Sequence, residues 1–158
     1  MPHAVPPRLV LDTNTVMALW FFEDTRLVPL RRAIDDSPLL LVARADALEE
    51  LRRVLAYRQF GASPAIQAAI LAAYTARVET IAVTPASDAT PHAEAPAATL
   101  PLCRDRDDQK FLEIARDGSA THLISRDKAL LRLNRHRLLR PLFAVVTPEA
   151  FVAALLAD

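Results

Sequence analysis

The residues best suited to chemistry in this chain are its acids, and they come from four separated segments. Asp12 closes the apolar run Arg8–Asp12 (RLVLD), and Glu49 and Glu50 lie in ALEELRRVL. Asp105, Asp107 and Asp108 fall in CRDRDDQKFLEIA, and Asp127 follows THLIS by two residues. Hard carboxylates without paired histidines or several cysteines favour Mg²⁺ or Mn²⁺ over zinc. Each acid also has an ordinary reading. Asp12 can cap the helix that follows it, Asp105 and Asp107 can cap the next, and Asp127 can cap a helix over Lys128–Leu133. Glu50 can pair with Arg52 or Arg53. Caps alone, however, do not require four acids at one end of one sheet.

Helical geometry sharpens two choices. In Asp46–Tyr57 the core stripe is Leu48, Leu51, Val54 and Leu55. Glu50 lies roughly 110° from the centre of that stripe and Glu49 roughly 150°. Glu50 therefore sits at the core margin. Glu49 points outward, with Arg53 four residues on as its surface partner. Asp46 and Glu50 are also four apart and repel unless a cation lies between them. Asp108 shares a face with Phe111, Leu112 and Ala115, where an unpaired carboxylate is costly.

The elements that must position these acids alternate in type. Strands are expected at Arg8–Asp12, Leu39–Ala43, Val78–Val83, Thr121–Ser125 and Leu142–Val146. Helices are expected from Thr13 to about Phe22, over Asp24–Ile34 and Asp46–Tyr57, from Pro64 to about Arg77, and over Asp107–Arg116 and Lys128–Leu133. The final helix opens at Thr147-Pro148-Glu149. This alternation implies an α/β fold, a three-layer α/β/α sandwich on a mostly parallel sheet, in which ligands bind at the carboxyl ends of the strands. We read one domain over residues 1–158, with a tail at 1–7 and a Pro/Ala-rich loop or insertion at 84–101.

Composition narrows the classes. Nineteen basic residues balance nineteen acidic ones, so no overall field draws the chain to nucleic acid or membrane. Cys103 is the sole cysteine, which excludes a disulfide framework and suits a reducing cytoplasm. Two glycines, Gly61 and Gly118, leave no phosphate-cradling loop. No signal core or membrane-length apolar run is visible.

Taken in order, LVLDTNTVMALW, ALEELRRVL, CRDRDDQKFLEIA, THLISRDKALL and VTPEAF resemble the PIN-domain family, from Arg8 to Leu155. More narrowly they resemble its VapC-like branch of toxin components. The resemblance implies a metal-dependent ribonuclease. It carries the four motif acids onto Asp12, Glu50, Asp108 and Asp127. Asn14 and Thr13 become supporting groups, Asp105 a further metal ligand, directly or through water, and Ser125 a residue that orients ligands. Arg106 stands where the family often has proline, and Arg126 where this branch often has glycine.

In the implied chemistry Asp12, Asp108 and Asp127 are primary ligands, and Glu50 binds metal or orients water. Metal-activated water attacks phosphorus, and a second ion or an arginine offsets charge on the leaving oxygen. Between Cys103 and Arg140 there are ten Lys/Arg against six Asp/Glu. There Arg132, Arg135, Arg137 and Arg140 could track an RNA backbone, or simply form a solvated face. The four histidines receive no catalytic role. Trp20, Phe21 and Phe22 are read as core or antitoxin-interface residues rather than base-stacking ones. The expected partners are RNA, a small antitoxin protein and a second copy in a homodimer, with no membrane. Two alternatives stand beside this reading. One is a haloacid-dehalogenase-like phosphohydrolase with Asp12 as nucleophile, although Asn14 occupies the place of its usual second acid. The other is a catalytically silent module that binds RNA or protein.

Overall fold

The computed structural model describes residues 5–83 and 98–157. Most of the tail at 1–7 and of the expected insertion at 84–101 lies outside the described residues, as do His3 and His92. Five strands form one sheet: β1 (Arg8–Leu11), β2 (Leu40–Arg44), β3 (Val78–Ile81), β4 (His122–Ile124) and β5 (Ala144–Val146). Their order is β3-β2-β1-β4-β5 and every pairing is parallel.

The strands are apolar on both sides because both faces are covered. Leu9, Leu11, Leu41 and Ile124 enter one core, which takes in α2 (Val28–Asp36), α3 (Ala45–Leu55), α4 (Pro64–Arg77) and α7 (Pro148–Ala157). Val10, Val42, Leu123 and Val145 enter the other, under α5 (Gln109–Asp117) and α6 (Lys128–Leu131). This is the expected α/β/α sandwich. None of the described helices is long and apolar enough to cross a membrane.

Several boundaries differ from the sequence expectation. The first helix is α-helical only over α1 (Thr13–Val16) and widens into a π-helical turn at Met17–Phe21. The second begins as a 3₁₀ turn at Thr25–Leu27, capped by Asp24. The helix expected over Lys128–Leu133 becomes 3₁₀ from Arg132. The fifth strand begins at Ala144 rather than Leu142, because 136–143 is held in successive turns by bonds such as Arg140 N to His136 O.

Gly118 fits its place for want of space. A Cβ there would come within 2.6 Å of Val42 Cγ1 and 2.9 Å of the Ile114 carbonyl. The glycine thus lets the end of α5 settle directly onto β2.

Candidate metal centre

β1 lies between β2 and β4, so the strand order reverses at the β1/β4 pair, and a crevice opens beyond their carboxyl ends. Asp12 ends β1 there, only 5% exposed. Its Oδ1 accepts from the Thr15 amide at 2.9 Å and the Thr15 hydroxyl at 2.6 Å. Its Oδ2 accepts from the Ser125 hydroxyl. Burial raises its pKa above the ordinary value, against the lowering effect of the Ser125 and Thr15 hydrogen bonds.

Ser125 is fully buried, and its hydroxyl also accepts from the Asp127 amide at 2.9 Å. One hydroxyl therefore joins the ends of β1 and β4. Asp127 caps α6, accepting from the Ala129 amide at 2.7 Å. Asp105 caps a 3₁₀ turn at Arg106–Asp108 through the Asp107 amide at 3.0 Å. That turn delivers Asp108 to the start of α5 with no cap bond from its side chain.

Asp105, Asp108 and Asp127 each present a carboxylate oxygen, and these oxygens all lie within 4.8 Å of one another. Asp108 is pushed up to about 7, chiefly by burial, then by the hydrogen bond and charge of Asp127, with Asp105 and Asp12 adding to it. Burial first, and the neighbouring carboxylates after it, thus disfavour the ionised form of Asp108.

Glu50 belongs to the same cleft but is already engaged. The Thr13 hydroxyl donates to its Oε2, and Lys110 Nζ lies 2.9 Å from its Oε1. Lys110 also donates to the Asp107 carbonyl at 2.6 Å, which ties α3 to the Asp105–Asp108 turn. Asp12, Glu50, Asp105, Asp108 and Asp127 thus line one open cleft of about 320 Å³, together with Thr13, Asn14, Tyr57 and Phe60.

The structure brings all five predicted acids, Thr13 and Asn14 to this cleft, with Ser125 behind it. The capping readings hold at the same time: Asp12, Asp105 and Asp127 each cap a turn and face the cleft. Other details depart from the sequence expectation. Glu49 pairs with Arg52 at 2.5 Å, because the shorter i,i+3 reach suits its guanidinium fork, and not with Arg53. Glu50 takes neither neighbouring arginine. Asp46 is drawn to the buried Arg44 at 2.8 Å, which removes its conflict with Glu50. Arg132, Arg135, Arg137 and Arg140 are exposed and none lines the cleft.

Sequence reasoning missed Lys110 and Arg126. The signal for Lys110 was its place three residues after Asp107, one turn into an acidic helix start. Arg126 sits between Ser125 and Asp127, bonded to Glu149 at 2.8 Å and to Asp24 at 3.0 Å. No local pattern marks those partners.

A parallel α/β sandwich with a carboxylate cluster at its switch point is suited to holding a divalent cation. The family model described as PIN domain matches residues 8–129, and the chain belongs to that family. Neither curated proteins nor solved structures supply a match. PIN domains are typically nucleases and generally bind divalent metals. The residues present fit such an ion: hard oxygen donors at short mutual distance, in a cleft whose own charge is uncompensated.

Proposed function

We propose that the protein is an endoribonuclease dependent on Mg²⁺ or Mn²⁺, and the cytoplasmic toxin of a type II toxin–antitoxin pair. The observation that carries the nuclease reading is the carboxylate cluster, with Asp108 near neutrality beside Asp105 and Asp127. The choice of RNA, and the antitoxin partner, rest on the resemblance of the ordered motifs to VapC-like toxins.

Asp12, Asp108 and Asp127 would hold the ion, with Asp105 binding directly or through water. A divalent ion bound there supplies an acidified water and a counter-charge for the phosphodiester oxygens. Ser125 and Thr15 aim Asp12 by hydrogen bonding its two oxygens, and those bonds oppose the rise in its pKa that burial causes. Glu50, steadied by Thr13 and Lys110, would bind the ion or orient a water beside it. Asn14 and Thr13 support the ligands. The arginine run from Arg132 to Arg140 carries the distal RNA backbone, and a homodimer presents two clefts. The phosphohydrolase reading is disfavoured by Asn14, which stands where that chemistry needs a second acid as proton donor.

The test is RNA cleavage with Mg²⁺ or Mn²⁺ by wild type, Asp12→Asn and Asp108→Asn. We expect metal-dependent cleavage that falls at least ~100-fold in both variants. Equal cleavage by all three proteins would identify a contaminating nuclease and end this reading. Growth arrest relieved by a co-purifying small protein tests the toxin role.

A further inference from the structure

The wall of the cleft that carries no charge is aromatic. Tyr57 follows the last turn of α3, and Phe60 closes a 3₁₀ turn over Arg58–Phe60. The Phe60 amide donates to the Tyr57 carbonyl at 3.1 Å. Such an i→i+3 turn brings side chains three apart onto one side. The two rings accordingly stack, with centroids 6.2 Å apart and planes inclined by 17°. Gly61, with φ +61°, ends the turn in the left-handed region and releases the chain toward α4.

The rings are braced from behind. Phe21 and Phe22, at the end of the π-helical turn, meet Phe60 edge-on at 5.8 and 5.5 Å. Phe60 is thereby packed by three rings, while Tyr57 and Phe22 remain 49% and 56% exposed. A half-exposed ring on the wall of this acidic cleft adds nothing to ion binding. Its neighbour Gln59, exposed and lining the same cleft, adds an amide with both donor and acceptor.

We propose that Tyr57 and Phe60 form a stacking subsite for the nucleobase next to the phosphodiester held at the carboxylate cluster. The proposal rests on the nuclease reading above. A phosphodiester at the cluster carries a nucleoside on each side, and the cleft continues from the acids to the Tyr57 ring without a break. An aromatic face accepts any base, so the subsite selects for an unstacked base and leaves sequence preference to Gln59. A duplex keeps its bases stacked inside and cannot offer one. Arg58 and Arg53, exposed beside the rings, supply positive charge for the backbone.

The test is binding without turnover, read as anisotropy of a labelled single-stranded RNA oligonucleotide in Ca²⁺, against the same strand with abasic sites and against its duplex. Wild type should bind the intact strand about ten-fold more tightly than the abasic one, the size of one base–aromatic stack. Tyr57→Ala should erase that preference, and Tyr57→Trp should keep it, with thermal unfolding of both variants matching wild type. Equal wild-type affinity for intact, abasic and duplex RNA would overturn the proposal. So would an intact-strand affinity unmoved by Tyr57→Ala but accompanied by lost binding of an arginine-rich peptide, which would assign the rings to a protein partner. Asp12→Asn separates the two claims: base preference that persists in a variant and a wild type that both fail to cleave would leave the subsite standing and the nuclease reading refuted.

Discussion

At the scale of single residues, Asp108 dominates the electrostatics. Its pKa is about 7 in the folded protein and 3.8 when unfolded, so folding takes up a proton between those values. The stability tied to that proton is fully present below about 4, and it is lost as pH rises through about 7. Asp24, Asp46, Glu49 and Glu149 are shifted down, and their contributions run the opposite way. A comparison with Asp108→Asn isolates the Asp108 effect, since asparagine does not titrate. With metal removed by EDTA, the variant should gain on wild type as pH rises from 4 to 8, ending higher by about 3 °C in melting temperature. A difference that stays flat across that range would mean the cluster does not repel itself as described.

At the scale of elements, close approach sets the sensitive points. Gly118→Ala drives a methyl into Val42 and the Ile114 carbonyl, both on regular elements that cannot easily shift. We expect a loss of about 1–3 kcal/mol, measured by urea unfolding at fixed pH. Gly61→Ala meets no atom within 4 Å, and its strain comes only from the positive φ. The strands and most helices were legible in the sequence because apolar runs and caps are local signals. RLVLD reads as a buried strand, and Ser63-Pro64 opens α4 with a hydroxyl cap at 3.2 Å. The aspartates of the cleft were legible because each sits at the boundary of a recognisable element, and Glu50 because its angle on α3 puts it at the core margin. The π-helical turn at Met17–Phe21 was not, since the apolar pattern from Val16 to Phe22 fits either winding. Lys110 with Glu50, and Arg126 with Asp24, meet across 60 and 102 residues, and no spacing rule reaches that far. The Tyr57–Phe60 pair was hidden because two aromatic residues at that spacing look like ordinary core residues.

At the scale of the whole molecule, charge balance is misleading. Nineteen positive charges cancel nineteen negative ones, yet six acids line one cleft where Lys110 is the cation that meets Glu50. The protein therefore gains from a cation more than its net charge suggests. Mg²⁺ or Mn²⁺ at about 100 times its dissociation constant should stabilise wild type by ~2.7 kcal/mol in thermal unfolding. Asp108→Asn should respond far less. An equal response from both proteins would place metal binding elsewhere on the molecule.

The hydroxyl of Ser125 reaches Asp12 across 113 residues, and β4 is the partner that brings it there. Chain order therefore becomes a timer. While the ribosome is still making the first hundred residues, Asp12 and Glu50 exist but Asp108, Ser125 and Asp127 do not. The carboxylate cluster is complete only once β4 has been made and lies beside β1.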